Sequence, residues 1–332
     1  MTSGLDPKPT AGFSGVNTAQ NDEIKWSIPP SRWTTRCHPL AKEVTRRTNA
    51  YFLDRWPFEN DGARNKFLTA DYAGSTCLCF PLALDDRIEF GCKLLGILFL
   101  VDDQLEDLSL SDGDAYNSRL MTLGRGEAQP DPNIPVETMM HELWEEMRQC
   151  DRKLAIELQD PVHQFMKAQT SQEKLRIREL GQYLAHRQTD VGQEFLAALM
   201  RFVMAISLTE EELQSTKQVE KCVGYQIAVV NDIYSFEKER RASQVAHKEG
   251  GWLCSSVNIL SQEVGLDYEA SKRILWLCCR EYEAKYLSLA HELRNDPSAA
   301  DSQLSLYLEG LQYHMSGNEV WSRVTTRYTV DN

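Results

Sequence analysis

Two stretches of this chain carry side chains whose types and spacing could do chemistry. Residues 100–107 read LVDDQLED, so Asp102, Asp103, Glu106 and Asp107 crowd the exit of the apolar run LLGILFLV. On a helix, the spacings of Asp102 and Asp103 to Glu106 bring these acids onto neighbouring positions of one face. Carboxylates this close repel one another and raise their own pKa unless a cation or water relieves them. A hard divalent cation, Mg²⁺ above all, gives that relief through oxygen ligands. The turn could equally be the solvated end of a buried helix, and this stretch alone leaves both readings open.

The second stretch is VVNDIYSFEKERR, residues 229–241. Asn231, Ser235 and Glu239 stand at i, i+4 and i+8, a drift of only about 80° around a helix. They offer a carbonyl oxygen, a hydroxyl and a carboxylate along one stripe. Helical side chains lean toward the N-terminus, so the long Glu239 can reach back toward the shorter Asn and Ser. A solvated stripe with local ion pairs accounts for Glu237 and Lys238. It accounts poorly for a neutral Asn and Ser at this spacing, which favours a set of metal ligands.

The elements that must hold these residues read as helices. After residue 30 the apolar period is helical over 40–53, 87–101, 135–158, 162–185, 192–208, 210–240, 268–294 and 298–315, and no β-alternation is evident. The expected fold is all-α, a single domain over residues 31–332. Residues 1–30, rich in Gly, Pro, Thr, Ser and Asn, read as a disordered or loosely packed arm. The stretches 109–135 and 240–252 read as loops that follow the acidic clusters and could close over a site.

Composition narrows the function classes. Lys and Arg total 36 against 49 Asp and Glu, a net charge of -13 with no basic block, which argues against nucleic acid and anionic membrane as partners. The longest apolar run is too short to span a bilayer, and the N-terminus lacks a basic and apolar leader, so a soluble, cytoplasmic protein is expected. Nine cysteines without regular spacing suit reduced thiols rather than a disulfide framework. Cys77 with Cys79, or Cys278 with Cys279, would need zinc partners that finger-like spacing does not supply.

Taken together, DDQLE at 102–106 and NDIYSFEKE about 130 residues later resemble the aspartate-rich motif and the NSE triad of class I terpene synthases. The resemblance runs over about residues 33–328 and is closest to fungal sesquiterpene synthases of the aristolochene synthase type. It implies a single bundle of antiparallel helices around an apolar pocket and three Mg²⁺ ions. Asp102 would bridge two of them, with Asp103 and Glu106 beside it, and Asn231, Ser235 and Glu239 would hold the third. Lys238 would touch the substrate diphosphate. LAHRQTDVG at 184–192 is similar to the family's diphosphate-sensing segment, with Arg187 as sensor, Asp190 as linker and Val191 as effector. Arg327 and Tyr328 resemble the pair that closes on the diphosphate. Gln193 departs from the pattern, which would place a Lys there.

The chemistry implied is ionisation of farnesyl diphosphate, release of diphosphate and cyclisation of the cation to a C15 hydrocarbon or alcohol. Aromatic faces would steer that cation. Phe99, three residues before Asp102, and Phe165, by family position, are candidates, as are Phe80 and Trp321. Ordinary core packing explains any of the four equally well. Rival readings are a diterpene synthase using geranylgeranyl diphosphate, a chain-elongating prenyltransferase and a non-enzymatic helical binding protein. Elongation would call for a second aspartate-rich motif where this chain has NDIYSFEKE. A homo-oligomer is compatible with all of these.

Overall fold

A computed structural model describes residues 26–105, 107–170, 176–245, 253–295 and 303–329. Among them the chain forms α1 (Ala41–Arg55), α2 (Asp61–Ala70), α3 (Tyr72–Cys79), α4 (Ile88–Leu105), α5 (Leu110–Arg125), α6 (Pro135–Cys150) and α7 (Arg152–Gln169). There follow α8 (Leu180–Asp190), α9 (Gln193–Met204), α10 (Glu210–Val245), α11 (Ser256–Val264), α12 (Tyr268–Arg294) and α13 (Leu304–Val324). A 3₁₀ turn, Thr326–Tyr328, ends the described chain. The fold is all-α, and none of the described helices is long and apolar enough to cross a membrane.

Side-chain caps mark where these helices start. Asn60, Ser109, Asp151, Ser255 and Asp267 each accept a hydrogen bond from a backbone N–H of the helix they precede. The periodicity reading and the helices differ in several places, and α2, α3 and α11 form where no helix was read. Residues 109–125, read as loop, form α5, with Ser109 as its N-cap and Gly126 in the left-handed region closing it. The break expected between residues 158 and 162 lies instead at Asp151, which caps α7, and α7 runs through Pro161. Further on, the single helix expected over 162–185 is two, since α7 ends at Gln169 and α8 starts at Leu180. Most of the second expected loop, residues 246–252, lies outside the described residues.

Burial explains the packing. α4 buries residues around nearly its whole circumference, among them Cys92, Leu94, Leu95, Ile97, Leu98 and Val101, so it is a central helix. Gly96 lets it meet α1, because a Cβ there would stand 2.6 Å from the Phe52 ring. Likewise Gly317 of α13 lies against the backbone of α3, its would-be Cβ 2.6 Å from the Leu78 carbonyl oxygen.

The 36-residue α10 runs along two apolar clusters. Val219, Cys222, Val223 and Ile227 join the larger, with α1, α4, α6, α7, α9 and α13. Val229, Val230, Ile233 and Phe236 join the smaller, with α8, α11 and α12. All nine cysteines are free.

Of the expected N-terminal arm, residues 1–25 lie outside the described residues. The segment that follows is held on α12. Arg280 Nε donates to the Pro29 carbonyl at 2.8 Å, and the Glu283 carboxylate accepts from Ser31 Oγ and the Arg32 N–H at 3.1 and 3.2 Å.

Candidate active site

The last turn of α4 presents Asp102 and Asp103 to one buried guanidinium. Arg327 Nη2 donates to Asp102 Oδ2 at 2.8 Å, and Arg327 Nη1 donates to Asp103 Oδ1 at 2.9 Å and to the Tyr72 hydroxyl at 2.6 Å. Burial works against the charge on Arg327, but Tyr72, Asp103 and Asp102 outweigh it and hold the group above the ordinary arginine range. The position of Arg327 follows from local bonds to α2. Trp321 Nε1 and Thr325 Oγ1 both donate to the Ala70 carbonyl, at 2.9 and 3.0 Å. Glu106 lies outside the described residues.

On α10 the stripe forms as its spacing requires. Asn231 Oδ1 accepts from Arg187 Nη2 at 2.9 Å, and Asn231 Nδ2 donates to the Tyr328 hydroxyl at 2.7 Å. Ser235 Oγ is buried with no hydrogen-bond partner among the described residues. Burial, with the negative Asp232 nearby, pushes the Glu239 carboxyl up to about 7. A polar oxygen without a partner and a carboxyl that resists ionisation are what a bound cation would relieve. Carbonyl, hydroxyl and carboxylate oxygens suit a hard divalent ion. Among the described residues no three His, Cys, Asp or Glu side chains form a cluster of their own that could hold a metal.

Arg187 of α8 also pairs with Asp190 one turn on, and its Nε stands 3.5 Å from Asp232 Oδ1. Val191 caps α8, its N–H bonded to the Arg187 carbonyl at 2.7 Å. Gly192 takes φ 76°, a left-handed conformation that glycine adopts without strain. The Phe165 ring packs over Gly192, 2.9 Å from where a Cβ would stand. Thus Arg187, Asp190, Asn231 and Tyr328 form one bonded chain, and Tyr328 follows directly on Arg327.

The aromatic candidates divide. Phe99 stacks on Tyr72 with ring centroids 4.4 Å apart, and Trp321 lies 5.7 Å from both Phe99 and Tyr328. The Arg327 guanidinium sits over the Phe99 ring at 5.2 Å. By contrast, Phe165 pairs with Phe195, and the fully buried Phe80 meets the edge of His314.

The family description "Terpene synthase family 2, C-terminal metal binding" matches residues 93–285, a span that holds both the acids of α4 and the stripe of α10. The chain belongs to the terpene synthase family. It is 48% identical to the aristolochene synthase of Aspergillus terreus over 91% of this chain and 94% of that one. It is 47% identical to the aristolochene synthase of Penicillium roqueforti over 90% and 88%. The crystal structure of the Penicillium roqueforti enzyme superposes with a TM-score of 0.81 at 45% identity, covering 90% of this chain and all of that one. A hedycaryol synthase structure, at 19% identity, shares the fold with a TM-score of 0.72, covering 89% of this chain and 100% of that one.

Three positions of this terpene synthase escaped the sequence reading. Asp232 is a buried hub that accepts from the Tyr183 hydroxyl at 2.7 Å and the Ser256 N–H at 2.8 Å while facing Arg187. Tyr72 is a third partner of Arg327. Gln169 donates to Asp102 Oδ1 at 3.0 Å. Only Asp232 had a signal in the sequence, an acid between Asn231 and the apolar Ile233. Gln193, read as a departure, is fully buried beside Gly224, and neither end of its amide has a partner among the described residues.

Proposed function

We propose that this chain is a Mg²⁺-dependent sesquiterpene synthase that ionises farnesyl diphosphate and cyclises the resulting cation to a C15 hydrocarbon or alcohol. The observation that carries this is Arg327, which joins a cationic grip to an aromatic wall: its guanidinium binds Asp102 and Asp103 and lies over Phe99. A prenyl diphosphate has an anionic head and an apolar tail, and such a junction meets both. The two aristolochene synthases, similar over nine-tenths of the chain, support the C15 reading.

Asp102, with Asp103 and Glu106, and the triad Asn231, Ser235 and Glu239 would hold three Mg²⁺ ions. Bound there, the ions would supply Lewis acidity to the departing diphosphate. The protein's own part begins with Arg187 and Arg327, whose N–H groups move from carboxylates to phosphate oxygens in charge-assisted, bidentate fashion. Lys238 and the Tyr328 hydroxyl add donors on the same side. Because Arg187 is bonded to Asp190 and, through its carbonyl, to Val191, a shift of its side chain is felt at the α8 end. The faces of Phe99 and Trp321, with Tyr72, offer π density to the allylic cation and exclude water from it. Phe165 and Phe80 would act further along the wall. No protein nucleophile is required.

Incubation with farnesyl diphosphate, with and without Mg²⁺, and mass spectrometry of an organic overlay tests this reading. A cyclic C15 product that depends on Mg²⁺ is expected. Its absence, with product from geranylgeranyl diphosphate instead, would overturn the C15 assignment.

A further inference from the structure

The reading of Asp102 as a metal ligand leaves one contact unexplained. Gln169, the last residue of α7, donates from Nε2 to Asp102 Oδ1 at 3.0 Å. Its other end, Oε1, is buried and has no hydrogen-bond partner among the described residues. Native structures rarely leave such an atom unpaired, since it has lost its water without a replacement. If the amide served only to satisfy Asp102, solvent could take that role, because the Asp102 side chain is 40% exposed.

The two ends that meet here are pinned. Gly113 of α5 nestles between them: a Cβ there would stand 3.1 Å from Leu105 of α4 and 3.2 Å from Thr170, the residue after α7. One turn back, the fully buried Asn117 of α5 donates from Nδ2 to the Met166 carbonyl of α7 at 2.7 Å. Gln169 is therefore held at a fixed place beside the α4 acids. Its charge matters as well. A cation in this place would compete with a metal for Asp102, as Arg327 does, whereas a neutral amide orients the carboxylate and leaves its charge intact.

Building on the metal site proposed above, we propose that Gln169 is a positioning residue of that site. Its Nε2 fixes the Asp102 rotamer, and its Oε1 accepts a hydrogen bond from a water on the ion that Asp102 holds. Outer partners of this kind commonly set metal affinity by about 10- to 100-fold.

Mn²⁺ binding in the presence of inorganic diphosphate, read by the electron paramagnetic resonance of free Mn²⁺, tests this without turnover. Gln169→Met keeps length and packing but removes donor and acceptor. It should weaken binding about tenfold with an unchanged melting temperature in the metal-free protein. Gln169→Glu keeps the shape but sets a carboxyl against Asp102, so the two share a proton that the ion must displace. Its Mn²⁺ binding should weaken steeply as the pH falls from 8 to 6, whereas the parent should change much less.

Unchanged Mn²⁺ affinity in folded Gln169→Met would overturn the proposal while leaving the metal site standing. If Gln169→Met fails to fold, a Gln169→Glu profile parallel to the parent's would do the same. Failure of the parent itself to bind Mn²⁺ with diphosphate would remove the metal site, and the role of Gln169 with it.

Discussion

Arg327 and Tyr328 are consecutive, yet they bond to opposite halves of the site. Arg327 Nη2 reaches Asp102 of α4 at 2.8 Å, while the Tyr328 hydroxyl accepts from Asn231 of α10 at 2.7 Å. One 3₁₀ turn thus ties together two motifs that lie far apart in the chain.

That tie sets the expected cost of breaking each side. Tyr328→Phe removes one neutral hydrogen bond, worth about 1 kcal/mol, and should raise the Mg²⁺ requirement by about fivefold with little change in melting temperature. Arg327→Ala should lower turnover by about 100-fold or more, the usual scale for losing a donor aimed at developing charge. It should also tighten Mg²⁺ binding in the absence of diphosphate, because the arginine no longer competes for Asp102 and Asp103. Steady-state kinetics and titration calorimetry check these outcomes.

Asp232 should matter more to the fold than to Mg²⁺ itself. Asp232→Ala strips Tyr183 and the Ser256 N–H of their acceptor and leaves Arg187 without a buried counter-charge, a loss of about 3 kcal/mol or more. Tyr183→Phe should cost about 1 kcal/mol. Urea unfolding of both variants and of the pair would show coupling between them, and additive losses would argue against a shared network.

The stripe on α10 and the adjacent Asp102 and Asp103 of α4 were legible as arrangements because their order is local: helical period is written within ten residues. Partners such as Gln169, Tyr72 and Tyr183 were not, since each reaches its carboxylate or guanidinium from a different helix. The helix α5 was missed because Gly113, Gly124 and several Ser and Asp residues mimic a loop, although Gly113 and Gly124 are there to admit neighbours. The break read between residues 158 and 162 errs in the opposite sense, since α7 runs through Pro161 and the chain breaks at Asp151 instead.

His314 gives the fold a pH dependence. Both ring nitrogens are buried without partners among the described residues, and burial pushes the pKa down from 6.5 to about 3. The folded protein keeps the ring neutral, while the unfolded chain takes up a proton below the ordinary value. Stability therefore carries no penalty from His314 above about pH 6.5, falls by about 1.4 kcal/mol per pH unit down to about pH 3, and levels off below. His314→Leu removes this slope. Its unfolding free energy relative to the parent should rise by about 2 kcal/mol between pH 7 and pH 5, and a constant difference would mean that the ring is solvated or paired.

The most direct test of the central claim is diphosphate release from farnesyl diphosphate by the parent and by Asn231→Ala/Ser235→Ala, each with Mg²⁺ and with a chelator. Release should occur only in the parent with Mg²⁺, while circular dichroism shows both proteins folded. Full release by the double variant, or release that survives the chelator, would contradict the assignment of the α10 stripe as the metal-holding half of the site.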